Sequence, residues 1–412
     1  MANTLNLGTD GNWATKEDSL LAYNSENGNF KPLPFDFTRA SSATVVNKAG
    51  LIETVGSGEP RIDFSNDAKG ALLLEPQRSN LIPNSQDIIT GWSTIRVTVQ
   101  NNQTISPDGV LNAALSTVTS DNGSHASFET LTGVLTSGSN NYISCFVKKS
   151  TTRYIRLNEG YVNDTVAFDL DTQTFVITQG SPTDVIFEDY GNGWYRIGFK
   201  FVAHSSGSTQ FVLYINDNNN NISYAGNGES VYLWGAQVEQ GSYATSYIPN
   251  FGNSAGATRS ADVCNNGGNE QVINSTEGVL YAEISASSYN LTYNVWSLNN
   301  GVNKEVFIGK INGFLSSSLY DGTNFLLNNS IALLSGNNKV ALKWVSGISA
   351  EIWLNGVKVV TYNGTIPAFN SNDLKNLSQG DRAGANPFYG NTKDVRVYNT
   401  ALTDAELIAL TK

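Results

Sequence analysis

Two histidines, two cysteines and 36 acids are the residues of this 412-residue chain with the best-known reactive chemistry. His125 lies in "DNGSHASFE", a polar turn, and His204 in "VAHSSGS", at a strand end. Neither is followed by a further ligand at metal spacing. A Ser–His–Asp triad would need one of them, and no local motif marks its serine. No G-x-G-x-x-G follows a strand, and no phosphate-binding loop is present. The acids are the richer resource, because glycoside hydrolysis needs two carboxyl groups flanking the scissile bond. The candidate pairs are Asp169 with Asp171, Glu188 with Asp189, and Glu351 with Asp394. The first pair flanks a hairpin turn, where Asp is common. The second is adjacent, so on a strand its members face opposite ways. The third occupies the polar phase of alternating strands. Solvated faces are the expectation for all three, and no catalytic residue is assigned.

Other chemistry is thinner. "NDNNNN" (216–221) is rich in oxygen but carries one charge. A structural calcium is the only ion it suggests, and a solvated loop is the plainer reading, so no metal ligand or cofactor is assigned. Cys145 and Cys264 are far apart, with neither disulfide-framework nor metal spacing. Both are expected to be free, in a chain folded in a reducing compartment. The aromatic residues remain: 18 Tyr, 18 Phe and 7 Trp. Trp194, Trp234, Trp344 and Trp353 fall in strand phase and are expected in cores. Tyr289 and Tyr293 in "SSYNLTYN", and Tyr320 and Phe325 in "LYDGTNF", fall in predicted loops beside Asn, Asp or Ser. A sugar presents a flat C–H face ringed by hydroxyls, which an aromatic ring with a few fixed polar groups accommodates. These four are the candidate carbohydrate-binding residues.

The elements that must position such residues are strands. "GWYRIGFKFVA" (193–203) alternates, with Tyr195, Ile197, Phe199 and Phe201 on one face and Arg196 and Lys200 on the other. "NYISCFVKKSTTRYIRLN" (141–158) reads as strand, polar turn, strand, with "VKKS" at a hairpin tip. "VAFDLDTQTFVIT" (166–178) reads as a hairpin turning at Asp171–Gln173. "VALKWVS" places Val340, Leu342 and Trp344 on one face. "EIWLNGVKVVTYNG" (351–364) holds Asn355-Gly356 between apolar runs, the strongest short-range hairpin signal. Residues 43–55 read as a hairpin turning at Asn47–Gly50, and Leu72, Leu73 and Leu74 as buried, with Pro76 and Pro83 excluding a helix. The one convincing helix lies in "ALTDAELIALTK" (401–412). Thr403 and Glu406 form a capping box there, and Leu402 and Leu407 a hydrophobic staple.

The expected fold is all-β: an N-terminal arm (1–33), a collar or hairpin module (34–90), a jelly-roll sandwich (91–250), a linker of small residues (251–263) and a second sandwich (264–412) with one short C-terminal helix. Arg39 is expected to pair with a nearby acid such as Glu75 or with a partner chain, where its planar fork suits a carboxylate. The net charge of −11 gives no basic surface for nucleic acid. "MANTLNLGTDGNW" has neither the basic nor the apolar region of a signal peptide. No apolar run reaches 18 residues, so no membrane insertion is expected.

Three stretches resemble a known group. "FTRASSATVVNKAGLIETVGSGEPRIDF" with "GALLLEPQRSNLIPNS" is similar to the N-terminal module of bacteriophage virion fibre and spike proteins. "NGWYRIGFKF", "VYLWGAQVEQGSYATSYIP" and "ATRSADV" resemble the carbohydrate-binding-module-like jelly roll that follows it. "IWLNGVKV" with "FYGNTKDVRVYNTALTDAELIALT" resembles laminin-G and concanavalin-A-like lectin domains. The resemblance implies a virion protein of head or tail, made in the host cytoplasm and displayed on the particle. It implies a homotrimer, attached to other capsid or tail proteins through its N-terminal region and meeting a host-surface glycan. It carries over no catalytic residues. The alternatives are a purely structural decoration or fibre-base protein and, behind it, a polysaccharide-degrading glycosidase.

Overall fold

Strand-length runs of alternating apolar and polar residues, cut by Asn and Gly turns, fill this chain, and the backbone follows them. The computed structural model describes residues 5–7, 13–16, 19–24, 29–32, 35–270, 272–285, 294–334 and 336–412. Among these, a single α-helix, Asp404–Thr411, accompanies the strands. The fold is all-β with two sandwiches, as the sequence predicts. The chain divides into two compact units: Met1–Lys48, Val55–Pro76 and Ser260–Lys412 form the first, and Ala49–Thr54 with Gln77–Arg259 the second.

The second unit packs two six-stranded antiparallel sheets. One runs in the order 93–95, 126–131, 209–215, 154–159, 164–169, 174–179, and the other in the order 97–105, 111–118, 230–240, 140–149, 194–202, 183–189. Inward residues of both sheets, among them Phe168, Phe211, Cys145, Ile197, Phe199 and Leu233, make one core. The expected hairpin at 166–178 forms, with Phe168 opposite Phe175. "VKKS" is not a hairpin tip. Asn140–Lys149 pairs with 194–202 and 230–240, whereas Tyr154–Glu159 pairs with 164–169 and 209–215. The turn after Lys149 therefore carries the chain from one sheet to the other. The polar phase of 194–202 also departs from expectation. Arg196 is 3% exposed, donating to the Thr245 carbonyl at 2.7 Å and the Ser144 hydroxyl at 3.1 Å. It lies over the ring of Phe146, which packs with Trp234 and Tyr247. An aromatic layer thus covers a face that alternation assigns to solvent.

In the first unit the large sheet runs 357–361, 349–354, 337–345, 277–285, 390–398, 71–74, 61–63, and Leu5–Leu7 also pairs with 390–398. A five-stranded sheet runs 325–332, 314–320, 305–311, 294–299, 376–379. Between them lie Leu72, Leu74, Leu280, Val340, Leu342, Trp344 and Val397 from one side and Trp296, Val306, Ile308 and Leu319 from the other. The turn Asn355-Gly356 has φ of 48° and 84°, the two positive angles that a two-residue hairpin of this type requires. Trp13–Lys16, Ser19–Asn24 and Asn29–Pro32 form a small antiparallel sheet. The segment read as a collar supplies strands to this unit: Asp36–Thr38 pairs with Val263–Asn265, and Arg61–Asp63 and Ala71–Leu74 extend the large sheet. The helix forms with its capping box complete, and Leu402 and Leu407 pack with Val279, Tyr281 and Trp353 on the outer face of the large sheet.

Candidate functional site

Each acid that the sequence put forward for hydrolysis has a local role. Arg153 holds Asp169 through Nε at 2.9 Å and Nη2 at 2.6 Å, and this guanidinium keeps the Asp169 carboxyl well below the usual carboxylate range. Asp171 pairs with Lys149 at 2.5 Å. Glu188 and Asp189 are exposed on an edge strand. Glu351 meets Lys343 and Lys358. Asp394, expected on a solvated face, is 1% exposed because Arg396 closes over it, with Nε at 2.9 Å from Oδ2. His125 is buried rather than in an open turn, its two ring nitrogens 3.0 and 3.2 Å from the carbonyl oxygens of Arg96 and Tyr224. His204 is exposed and its Nδ1 meets the Ser206 hydroxyl. The oxygens of Asp217 in "NDNNNN" accept from the backbone of Asn219 and Asn221 and the Asn221 amide. No group of three metal-ligating side chains is present among the described residues. Both cysteines are free and buried, and burial pushes both thiols up.

Arg39 sits in a buried network of the first unit. Its Nη1 lies 3.0 Å from Asp262 Oδ1, and its other donors reach the carbonyls of Ser41, Gly56 and Glu59. Arg61 bridges Asp262 and Glu75, at 2.7 Å from the latter. The Glu75 N–H donates to Asp262 at 2.8 Å. All four side chains are 2% exposed or less. Burial disfavours the Arg61 charge, but Asp262 and Glu75 outweigh it and hold that guanidinium above its ordinary value. Arg61 and Asp262 are the members that sequence reading missed, and Arg39 meets Asp262 where Glu75 was expected. For Asp262 one faint signal exists, the echo of "TRAS" (38–41) in "TRSA" (258–261): the Ser260 N–H donates to the Ser41 hydroxyl at 2.9 Å. Two cations and two anions cancel here, and the network acts as a clamp.

Of the four aromatic candidates, Tyr289 and Tyr293 lie outside the described residues. Tyr320 and Phe325 are adjacent, ring centroids 5.9 Å apart in an edge-on arrangement. The Arg382 guanidinium covers Tyr320 at 4.6 Å, and the Tyr320 hydroxyl donates to the Gly322 carbonyl at 3.0 Å. Arg382 is in turn fixed by Glu305 at 2.8 Å. Burial pushes the Glu305 carboxyl up against the opposing pull of Arg382. Phe325, 52% exposed, is the open ring of the pair.

A more complete site lies in the second unit and was not singled out from sequence. A recess of about 330 Å³ is lined by Asn84, Asp87, Asn101, Asn102 and Asn112, with Phe251 at its edge. Phe251 is 78% exposed, the most exposed large apolar side chain among the described residues. Its position is fixed from behind by the buried Asn250, whose amide donates to the Asn80 and Asn253 carbonyls and whose carbonyl accepts from the Asn253 N–H. Gly252 follows at φ 96°, a left-handed conformation in which a side chain is strained. Asn101 and Asn102 project from an irregularity in strand Val97–Ile105, where register shifts between Gln100 and Thr104 and Asn102 takes φ 59°. Such a bulge re-aims side chains out of the pleat. Asn112 stands on the partner strand.

The polarity of the recess is set by carboxylates. The Asn101 Nδ2 donates to Asp87 Oδ1 at 2.6 Å and the Asn112 Nδ2 to Asp108 Oδ2 at 3.1 Å. An ionised carboxylate only accepts, so each amide must turn its NH2 end to its acid. The Oδ1 atoms of Asn101 and Asn112 are left shielded from water and without a hydrogen-bond partner. Asn84 spends its amide on the Thr90 carbonyl. Burial pushes the Asp87 carboxyl up, but hydrogen bonds from Thr90, Asn101 and the Ile89 and Thr90 N–H groups outweigh this and hold it below its ordinary value. A second recess, about 570 Å³, is lined by Arg78, Ser79, Asn140 and Gln240. Its cation lies 4.0 Å from the buried Glu239 and over the Tyr243 ring.

No family model matches the chain, and no curated protein matches it. Among solved structures, the chain is similar to the Ruminococcus gnavus IT-sialidase CBM40 bound to alpha2,3 sialyllactose, at 22% identity over 36% of this chain and 94% of that one, with a TM-score of 0.31. Domain 4 of AbnA, an extracellular GH43 arabinanase of Geobacillus stearothermophilus in complex with arabinotriose, is similar at 15% identity over 37% of this chain and 73% of that one, TM-score 0.29. Domains LG4-5 of the mouse laminin alpha1 chain are similar at 8% identity over 79% and 96%, TM-score 0.24. Values of this size identify neither a shared site nor a shared ligand.

Proposed function

We propose that this chain is a non-catalytic adhesin of a virus particle, holding host-surface glycan through a shallow recess. The observation that carries the adhesive part is the recess of the second unit, where an open aromatic ring stands beside a row of fixed amides. A saccharide asks for that combination: an apolar face to stack and directional polar groups to orient it. The virion setting is supported by the resemblance of residues 37–64 and 70–85, and of the jelly roll that follows them, to fibre and spike proteins. The non-catalytic part is supported by Asp169, Asp171, Glu351 and Asp394, each of which is engaged by a neighbouring cation. Display as a homotrimer, joined to capsid or tail proteins through the N-terminal region, would turn weak single contacts into firm attachment by raising effective concentration.

A glycan array probed with the purified full chain tests the adhesive reading, and imaging of the intact particle tests its place. Silence on every glycan refutes adhesion. Release of reducing sugar from host polysaccharide, abolished by changing one acid pair, establishes a glycosidase instead. One observation favours the second reading, a decoration protein that binds other virion proteins. The edge strand Thr174–Gln179 is exposed along its whole length and carries Phe175, Val176 and Ile177 with no charge. Exposed, uncharged, apolar edges are ready templates for pairing with another chain.

A further inference from the structure

From the charge of the lining and the exposed ring of the recess beside Phe251, we infer that it selects uncharged, hydroxyl-rich saccharides and rejects acidic ones. This rests on the adhesive reading above and adds the ligand class. Around the recess the amides of Asn84, Asn101 and Asn112 each donate to a protein acceptor, and the exposed Asn102 adds a further amide to the lining. None of the residues lining it is Lys, Arg or His, and Asp87 contributes a negative charge. Sugar hydroxyls bond to the exposed amide of Asn102, and the C–H face of the same ring has Phe251 to lie against. A carboxylate or sulfate brings a like charge to Asp87 with no cation in the lining to offset it, so it is repelled. The recess lined by Arg78 offers no substitute, since its guanidinium already faces Glu239.

The test is a titration of the purified full chain with neutral gluco-, galacto- and manno-oligosaccharides and, in parallel, with sialyllactose and a sulfated oligosaccharide. Saturation-transfer NMR and calorimetry are the readouts. Neutral sugars bind in the millimolar range or better, and acidic ones at least about tenfold more weakly, as expected for one like-charge contact of roughly a pKa-unit equivalent. Phe251→Ala, a change at an exposed ring, weakens neutral binding about tenfold or more. Arg78→Ala leaves it unchanged. Acidic sugars binding more tightly than neutral ones, or neutral binding that survives Phe251→Ala and disappears with Arg78→Ala, overturns this inference and leaves the adhesin standing. Calcium binding that Asp87→Asn abolishes, with no sugar effect of Phe251→Ala, also overturns it, making the recess a cation site. No saccharide of either class binding removes both readings together.

Discussion

Replacing Arg61 by alanine is the sharpest test of how the first unit is held. Arg61 is fully buried and faces Glu75 at 2.7 Å and Asp262 on its other side, with Arg39 3.0 Å from the same Asp262. In the wild type two positive and two negative buried groups compensate one another. Arg61→Ala leaves three charges, two of them carboxylates, with a single cation, and it also removes the hydrogen bond that Arg61 donates to the Thr44 carbonyl at 3.0 Å. Breaking a buried pair by removing one partner costs about 3–5 kcal/mol. For a cooperative unit of roughly 150–250 residues each kcal/mol lowers the melting temperature by about 2–4 °C, so the expected fall is roughly 6–20 °C. Differential scanning calorimetry measures it. Hydrogen exchange localises it, with protection lost in 36–38, 61–63, 71–74 and 263–265. The double variant Arg61→Ala with Glu75→Ala is expected to be no worse than the single one, because it removes the orphaned charge with its partner. A single variant that melts within about 2 °C of wild type, or loosens 140–240 instead, refutes the clamp.

Leu407→Ala empties a fully buried site between the helix and the large sheet, and a loss of about 2–4 kcal/mol is expected by urea unfolding. Thr403→Ala, which removes the cap, is expected to cost about 1 kcal/mol; equal effects of the two changes would contradict the packing role of Leu407. Asp321 is pushed up by burial, but hydrogen bonds from Asn324 and from the Asn324, Ala368 and Thr323 N–H groups prevail and bring it down from 3.8 to about 2. A depressed folded value means the stabilisation is complete above the ordinary value and is lost as pH falls from about 4 to about 2. The stability difference between wild type and Asp321→Ala is therefore expected to shrink across that window, and a difference that grows on acidification is the contrary outcome. Cys145 and Cys264, buried and with thiols pushed up, are expected to ignore a disulfide reagent in the native state and to react fully in denaturant. Reaction of either without unfolding would show that its strand is open.

Period-two alternation made most of the fold readable. Val340, Leu342 and Trp344 lie in the core as their spacing demands, and Asn355-Gly356 turns where it should. Thr403 with Glu406 starts the helix because both partners of the cap are local. Local signals fail where a partner lies far along the chain. Nothing near Lys149 announces that the following turn changes sheets, since that is fixed by pairings with residues 45 to 91 positions away. Arg196 reads as solvent-facing until the segment around Thr245 closes over it. The recess was missed for the same reason: it is assembled from the loop after Asn80, an irregular strand and the residue after Asn250. A lone Phe251 opening a run of small residues was the one available hint, and a linker reading absorbed it.

Leu72 lies opposite Thr392 in the large sheet. During synthesis at roughly 5–20 residues per second, the trio Leu72, Leu73 and Leu74 therefore emerges from the ribosome about 15–60 s before its mate exists. The intervening residues 77–259 have time to collapse into their own sandwich while that apolar trio waits uncovered. Production in a crowded cell thus depends on shielding those three leucines for most of the translation time, and slowing the ribosome late in the message would raise the aggregated fraction.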